Sequence, residues 1–146
     1  MSRIVVGIDG SEAATAALAW AAREAELHDA TLHLVTSFGP TEAVAVGGLA
    51  WSADMYDELE LHAREVQNRA IEKLGDPLPP IEQEVALGSP ATLLLEAAQN
   101  AELLVVGSRG LGGLKGLLLG SVSHRCVSHA SCPVVVIPPA DRHGKA

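Results

Sequence analysis

Short apolar runs separated by longer helical segments constrain the fold of this chain more than any other feature of its sequence. Several runs are almost continuous in Val, Ile and Leu, which is typical of strands buried on both faces of a parallel sheet. The five predicted strands are Arg3–Ile8, Thr31–Ser37, Ile81–Leu87, Leu103–Gly107 and Pro133–Ile137. The helical segments between most of them predict a doubly wound, Rossmann-like α/β fold, with a parallel five-stranded sheet of order 3-2-1-4-5 and helices on both faces.

Capping residues and apolar periodicity predict where the helices lie. A Ser before a helical segment can accept a hydrogen bond from a first-turn N–H group, and Pro is favoured at the first helical position. Apolar residues three or four positions apart form one stripe along a helix. The predicted helices run from Ser11 to about Leu27, from Asp54 to Leu74 along such a stripe, from Ser89-Pro90, and from Ser121 to a point before Cys132.

Composition excludes several classes of function. At 146 residues, with 48% hydrophobic and 19% charged residues, the chain predicts one globular domain over residues 1–140 and a loose tail at 141–146. Its net charge of −8 argues against nucleic-acid binding, and its apolar runs are too short to cross a membrane. Two cysteines without a Cys-x-x-Cys pattern suggest a reducing, cytoplasmic environment and no metal framework.

A glycine-rich segment follows the fourth predicted strand. The apolar run stops at Gly107, and glycine recurs at positions 110, 112, 113, 116 and 120 before Ser121 opens a helix. Glycine lets backbone N–H groups approach a ligand and permits positive φ angles. No Asp or Glu occurs from residue 103 to residue 140, whereas Arg109, Lys115 and Arg125 do. The sequence therefore predicts a cationic anion-binding patch on an acidic protein.

The predicted strand order brings a second segment to this patch. Asp9 follows the first strand and Gly107 ends the fourth, so both lie at carboxyl ends beside the point where the strand order reverses. Open α/β sheets bind ligands in the crevice at this point. Asp9 has two interpretations. It is either a turn residue or a ligand of Mg²⁺ or Mn²⁺, since a carboxylate beside phosphates needs a cation between them.

The glycine spacing resembles a known nucleotide motif. Gly107-x-x-Gly110, nine further residues and Gly120-Ser121 are similar to the nucleotide-binding motif of the universal stress protein family. The segments Ile4–Ser11 and Ser131–Ile137 resemble that family's opening and closing strands, so the resemblance covers nearly the whole chain. It implies a nucleotide-binding domain over residues 1–140 and a homodimer formed through strand 133–137. That edge also carries exposed backbone groups that invite pairing.

The resemblance also implies ATP binding and a set of site residues. The phosphates and ribose would be held by the glycine segment, adenine would meet backbone near Ser37, and Asp9 would reach the phosphates through Mg²⁺ or Mn²⁺. The expected nucleotide-binding residues are Gly7, Asp9, Ser37, Gly107, Ser108, Arg109, Gly110, Gly112, Gly113, Gly120, Ser121 and Val122. Relatives often carry basic residues where this chain has Leu111 and Gly116, and Lys115 or Arg109 could replace them.

Two classes of function remain open at this stage. The favoured one is an ATP-binding stress-response or signalling module with slow or no turnover, whose protein partner the sequence does not identify. Within the same class, the absence of cations at Leu111 and Gly116 allows a cyclic nucleotide receptor. The rival is a slow nucleotide phosphohydrolase, although no paired carboxylates are evident. We expect the six histidines to be solvated or capping residues and Cys126 to be a core residue.

Overall fold

The computed structural model describes residues 2–39, 52–110 and 119–139. Strands and helices alternate along these residues, with one 3₁₀ turn at Ala98–Asn100. The strands are β1 (Arg3–Gly7), β2 (Thr31–Phe38), β3 (Ile81–Leu87), β4 (Leu103–Gly107) and β5 (Val134–Ile137). The helices are α1 (Glu12–His28), α2 (Ala53–Glu72), α3 (Pro90–Ala97) and α4 (Ser121–His129).

The five strands form one parallel sheet of order β3-β2-β1-β4-β5, which confirms the predicted topology. β1 is central and pairs with β2 from Arg3↔Thr31 to Gly7↔Val35 and with β4 from Ile4↔Leu103. The order reverses between β1 and β4. The carboxyl ends of these two strands therefore flank the switch point at which doubly wound sheets bind ligands.

Two apolar clusters cover the two faces of the sheet. On one face, α1 and α2 pack on Ile4, Val6, Leu32 and Leu34. On the other, α3 and α4 pack on a second set of strand residues: Val5, Val35, Leu104 and Val106. Alanines form most of the buried side of α1, so the helix axis lies close to the sheet. This close approach leaves little room at the carboxyl end of β4.

The helix starts differ from expectation in detail. Ser11 caps α1 as predicted, with its Oγ accepting from the Ala14 N–H at 3.1 Å. The predicted cap at Ser121 is wrong: Gly120 is the N-cap of α4, Ser121 is its first helical residue, and no side-chain capping bond is found there among the described residues. Ser89 is the N-cap of α3 but makes no side-chain capping bond. No helix within the described ranges is long and apolar enough to span a membrane.

Candidate functional site

A crevice of about 700 Å³ opens at the carboxyl ends of β1, β2 and β4. Its floor is the strand ends, and its sides are the first turns of α1 and α4 together with α2. Of the predicted nucleotide-binding residues, those that line it are Gly7, Asp9, Ser37, Gly107, Arg109, Gly110, Gly120, Ser121 and Val122. Two others, Gly112 and Gly113, lie outside the described residues, as do Leu111, Lys115 and Gly116. The fold thus brings three distant segments to one cavity.

Asp9 offers one carboxylate oxygen to this cavity. Its Oδ1 accepts hydrogen bonds from the Ser11 N–H at 2.9 Å and from the Ser11 hydroxyl at 2.5 Å. Its Oδ2 faces the glycine segment: a Cβ built on Gly110 would lie only 2.7 Å from it. Asp9 is therefore both a turn residue, through Oδ1, and a potential ligand, through Oδ2. The described residues contain no cluster of three metal-ligating side chains around it.

Gly107 and Gly7 are glycines for reasons of packing. A Cβ on Gly107 would lie 2.7 Å from Ala13 Cβ and 2.8 Å from the Ala13 carbonyl carbon. α1 therefore passes directly over the end of β4. A Cβ on Gly7 would lie 3.0 Å from the Leu94 side chain of α3. At both positions a helix comes too close for a side chain, so packing is sufficient to explain the glycine whether or not a ligand also approaches it.

Gly110 and Gly120 differ from that pair because their neighbours belong to the crevice itself. A Cβ on Gly120 would meet Arg109 Cα at 3.4 Å, Ser108 O at 3.6 Å and Gly110 N at 3.7 Å. Neither residue uses the left-handed region: the described glycines with positive φ are Gly10, Gly39 and Gly88, and Gly120 has φ −77°. What these two glycines contribute is a backbone without a side chain, and not a backbone conformation that other residues avoid.

Ser108 anchors the glycine segment without lining the cavity. Its carbonyl oxygen accepts from the Gly120 N–H at 2.7 Å and from the Ser123 hydroxyl at 2.8 Å. Its own N–H donates to the Ile137 carbonyl at 2.8 Å. These bonds tie the end of β4 to the start of α4 and the end of β5. Residues 108 and 120 are therefore held together at one point, and the buried Ser108 hydroxyl has no hydrogen-bond partner among residues 2–39, 52–110 and 119–139.

A wall of the crevice that the sequence analysis did not assign comes from α2. Leu59, His62, Ala63 and Val66 line the cavity from this helix. Three of them, Leu59, Ala63 and Val66, belong to the apolar stripe that predicts this helix, but the stripe alone does not indicate that the helix extends past the sheet. We call these four residues the α2 wall. Within the described lining, the titratable side chains are Asp9, His62 and Arg109.

A buried polar network holds α2 in place. Gln67 is fully buried, and its Nε2 donates to Thr36 Oγ1 at 2.9 Å and to the Glu84 carbonyl at 2.8 Å. Thr36 in turn donates to the Ile8 carbonyl at 2.7 Å. The network joins one helix to three strand segments directly beneath the crevice. Buried amides are stable only when bonded in this way, so the network fixes the register of α2 on the sheet.

The histidine and cysteine expectations have mixed outcomes. His33 is not solvated: it is buried on β2, and its Nε2 lies 2.9 Å from Glu84 Oε1. His28 is exposed and lies 3.2 Å from Glu24, as expected for a surface residue. Cys126 is a core residue as predicted. Burial raises the pKa of the Cys126 thiol, and Arg125 opposes this only in part, so the thiol is protonated rather than nucleophilic at neutral pH.

These features define the class of the protein: a doubly wound α/β protein with a ligand crevice at its topological switch point. Residues 1–138 match the model of the universal stress protein family. The chain is 38% identical over 144 residues to the universal stress protein Rv2623 of Mycobacterium tuberculosis, covering 94% of this chain and 48% of the relative. The chain belongs to the universal stress protein family. It spans about half the length of that relative.

Two solved structures are similar in fold. Universal stress protein UspA from Lactobacillus plantarum is 25% identical, with a TM-score of 0.76 and coverage of 93% of this chain and 97% of that chain. A universal stress protein in complex with cAMP is 27% identical, with a TM-score of 0.62 and coverage of 95% and 98%. Both likenesses extend across the strands and helices that form the crevice.

Proposed function

We propose that the crevice binds an adenine nucleotide and that the chain acts as a nucleotide-binding stress-response module. One observation carries this proposal: Asp9, Arg109, Gly110 and the uncapped start of α4 converge on one cavity from separate parts of the sequence. The first-turn N–H groups of a helix are anion donors unless a side chain caps them. Arg109 adds a cation beside them. The opposite side of the cavity is largely apolar, as a base requires.

The family relationship supports the choice of an adenine nucleotide. A relative with 27% identity and nearly full coverage is bound to cAMP. The cavity volume of about 700 Å³ lies within the range of small-molecule and cofactor sites. Ser37, at the end of β2, lines the side of the cavity where its backbone would meet adenine.

We propose ATP as the favoured ligand, with Mg²⁺ or Mn²⁺ carried mainly by its phosphates. Asp9 Oδ2 supplies one protein oxygen beside Gly110, and Oδ1 is already bonded to Ser11. Magnesium is commonly bound by one or two carboxylates together with substrate phosphates. The residues present fit that arrangement and not a metal held by protein alone.

A cyclic nucleotide is the second candidate. The relative bound to cAMP favours it. So does the charge of the site, because Arg109 is the one Lys or Arg that lines the cavity within the described residues. A cyclic monophosphate carries one negative charge and needs less compensation than a triphosphate. The two candidates differ in metal dependence, since cAMP offers no chain of phosphates to hold a divalent ion.

We propose that the protein hydrolyses the bound nucleotide slowly or not at all, and that it is a binding module and not a phosphohydrolase. Asp9 is the one carboxylate among the described lining residues, and half of it is occupied by Ser11. Phosphoryl transfer is accelerated by clamps and positioned bases. A single-turnover assay with ATP tests this directly. Steady hydrolysis near the ordinary enzyme range of about 1–1000 per second would favour the enzyme instead.

The decisive binding experiment titrates ATP, AMP and cAMP calorimetrically into the protein, with Mg²⁺ and with chelator. The matched variants are Gly110→Val and Gly75→Val. A Cβ on Gly110 would meet Asp9, whereas one on Gly75 would meet nothing within 4 Å. We expect Gly110→Val to lose affinity and Gly75→Val to keep it. Equal affinity of both folded variants and the wild type would reject the site.

We also propose that the chain forms homodimers through β5, which is an edge strand of the sheet. Pro133 O accepts from the Leu104 N–H of β4, and Ile137 O accepts from the Ser108 N–H just after it. By alternation the backbone of Val136 points away from β4. Val136→Pro removes an outward N–H, and Val135→Pro removes an inward one. Sedimentation should show a dimer that only Val136→Pro dissociates without unfolding. A wild-type monomer at tens of micromolar, an order of magnitude typical of weak interfaces, would reject it.

A further inference from the structure

The first half of α2 extends past the sheet. Residues 53–62 are all exposed or half-buried, and Ala63 is the first fully buried residue of the helix. The Gln67 network and the apolar cluster hold only the second half. From this first half, Leu59 and His62 line the crevice.

His62 is the polar group that this overhang presents to the cavity. It is exposed, and no hydrogen bond or ion pair to it is found within the described residues. The other members of the α2 wall are apolar. An imidazole can both donate and accept a hydrogen bond. A free imidazole among apolar groups on a cavity wall is suited to a ligand that is mostly apolar with polar edges.

The position of His62 follows from its neighbour one turn further along the helix. Val66 Cγ1 lies 3.6 Å from the place a Cβ on Gly10 would occupy, so this part of α2 stands over the turn after β1. His62 precedes Val66 by four residues and lies on the same helical face. α2 packs on one face of the sheet and α4 on the other. Because both helices line the crevice, His62 and the start of α4 border it from opposite faces.

We propose that His62 contacts the nucleoside end of the bound nucleotide, forming a hydrogen bond to the base or ribose while Leu59 and Val66 contact the face of the base. The inference rests on the proposed function, because it assumes a nucleotide whose phosphates lie at Arg109, Gly110 and the start of α4. It adds a specificity residue from a helix that the glycine motif does not include.

The test compares adenosine, AMP and ATP, titrated in the presence of Mg²⁺ into the wild type and three variants. His62→Ala removes the imidazole, His124→Ala removes an exposed imidazole of α4 that does not line the cavity, and Arg109→Ala removes the cation. We expect His62→Ala to weaken all three ligands by about the same factor, roughly three- to tenfold for one hydrogen bond. Arg109→Ala should weaken ATP most and adenosine least.

The outcomes separate this inference from the proposed function. A loss for His62→Ala that grows from adenosine to ATP would place the imidazole at the phosphates and overturn the inference. So would unchanged affinity for all three ligands. In both cases nucleotide binding itself stands. If the wild type binds none of the three, and cAMP does not bind either, the proposed function fails and the inference falls with it.

An independent readout uses the His62 ring signals in a proton–carbon NMR spectrum, assigned by their loss in His62→Gln. We expect adenosine, which has no phosphate, to be sufficient to shift the His62 signals. The His124 signals should not move. His62→Gln keeps a donor and an acceptor, so its adenosine affinity should lie between those of the wild type and His62→Ala. Unshifted His62 signals at saturating adenosine would contradict the proposed contact.

Discussion

The two sides of the crevice are built in opposite ways. The glycine-rich end, Gly107–Gly110 with Gly120 and Ser121, is made of bare backbone, one cation and hydrogen bonds within the chain. The α2 wall is made of side chains on a regular helix that extends beyond the sheet. One end presents N–H groups and the other presents an apolar surface with one imidazole. An adenine nucleotide has the same division, with charge at one end and an aromatic base at the other.

This difference shows that the glycine-rich end serves two purposes. Gly107 is required by α1 packing against it, whereas Gly110 and Gly120 border only crevice groups and backbone. A run of glycines therefore contains positions for the fold and positions for the ligand. On α2 the structural role and the ligand-facing role belong to separate residues. Gln67 fixes the helix to the sheet, whereas His62, more than one turn away, faces the cavity.

The largest expected effect separates the two kinds of glycine. Gly107→Ala places a Cβ 2.7–3.0 Å from Ala13 and the Ala14 backbone nitrogen, and backbone atoms of a packed helix cannot move away cheaply. We expect a loss of about 3 kcal/mol in the free energy of unfolding, near the upper end for overpacked cores. Urea denaturation measures it. Gly110→Ala, whose Cβ meets only the Asp9 side chain, is the matched control and should lose less than about 1 kcal/mol.

The sequence predicted one end of the crevice and not the other for a physical reason. Glycine spacing and local charge at Gly107–Ser121 are visible in the order of residues, so that end was predicted before the fold was known. His62 carries no such signal, because its role depends on how far α2 extends past β2. The Gln67 contacts that determine this extension join residues up to 31 positions apart in the chain.

The next effect tests the anchor of the α2 wall. Gln67→Leu keeps the volume but removes the amide that donates to the Glu84 carbonyl and to the buried Thr36 hydroxyl. We expect a loss of about 2 kcal/mol in the free energy of unfolding, typical of an unsatisfied buried group. Asn68→Ala is the control, since Asn68 is exposed and its side chain accepts from the exposed Gln83 amide. Equal stability of the two variants in urea denaturation would mean that the network does not hold α2.

A third prediction concerns the charge between the two ends. Asp9→Asn keeps an oxygen for the Ser11 bonds and removes the negative charge beside Gly110. If Asp9 Oδ2 binds a phosphate-held Mg²⁺, the variant should lose roughly tenfold in magnesium-dependent ATP affinity, about 1.4 kcal/mol. Its affinity in chelator should stay the same or rise, because a repulsive charge has been removed. Calorimetric titrations with and without Mg²⁺ measure both quantities.

Asp57→Asn on the exposed side of α2 is the control for general charge effects. If Asp9→Asn and the wild type respond equally to magnesium, Asp9 acts only as the turn residue that its bonds to Ser11 already show. The proposed metal contact would then be wrong, while nucleotide binding through the glycine-rich end would stand.

The overall fold was predictable because its signals are local and repeated. Strand runs rich in Val, Ile and Leu, alternating with capped helices, predicted the strand order that the structure has. The errors lie where tertiary contacts decide the outcome. Gly120 replaces Ser121 as the α4 cap because the Gly120 N–H is bonded to Ser108 O. His33 is buried on β2, where its imidazole contacts Glu84 of the neighbouring strand, a pairing that only the fold establishes.

The smallest expected effect is at Ser108, which contributes only main-chain hydrogen bonds to the glycine-rich end. The Ser108 carbonyl and N–H make three hydrogen bonds, whereas its buried hydroxyl has no partner in the part of the chain that the structure describes. An unsatisfied buried hydroxyl has lost its water without a replacement, so removing it relieves a desolvation cost. Ser108→Ala should therefore change the free energy of unfolding by no more than about 0.5 kcal/mol, toward greater stability. ATP affinity should stay unchanged, because Ser108 bonds Gly120 and Ser123 through its main-chain carbonyl and not through its hydroxyl.

Ser123→Ala, which removes a hydroxyl bonded to the same carbonyl, should instead destabilise by about 1 kcal/mol. Denaturation showing the reverse order would mean that the Ser108 hydroxyl has a partner, and that the glycine-rich end relies on a side chain after all.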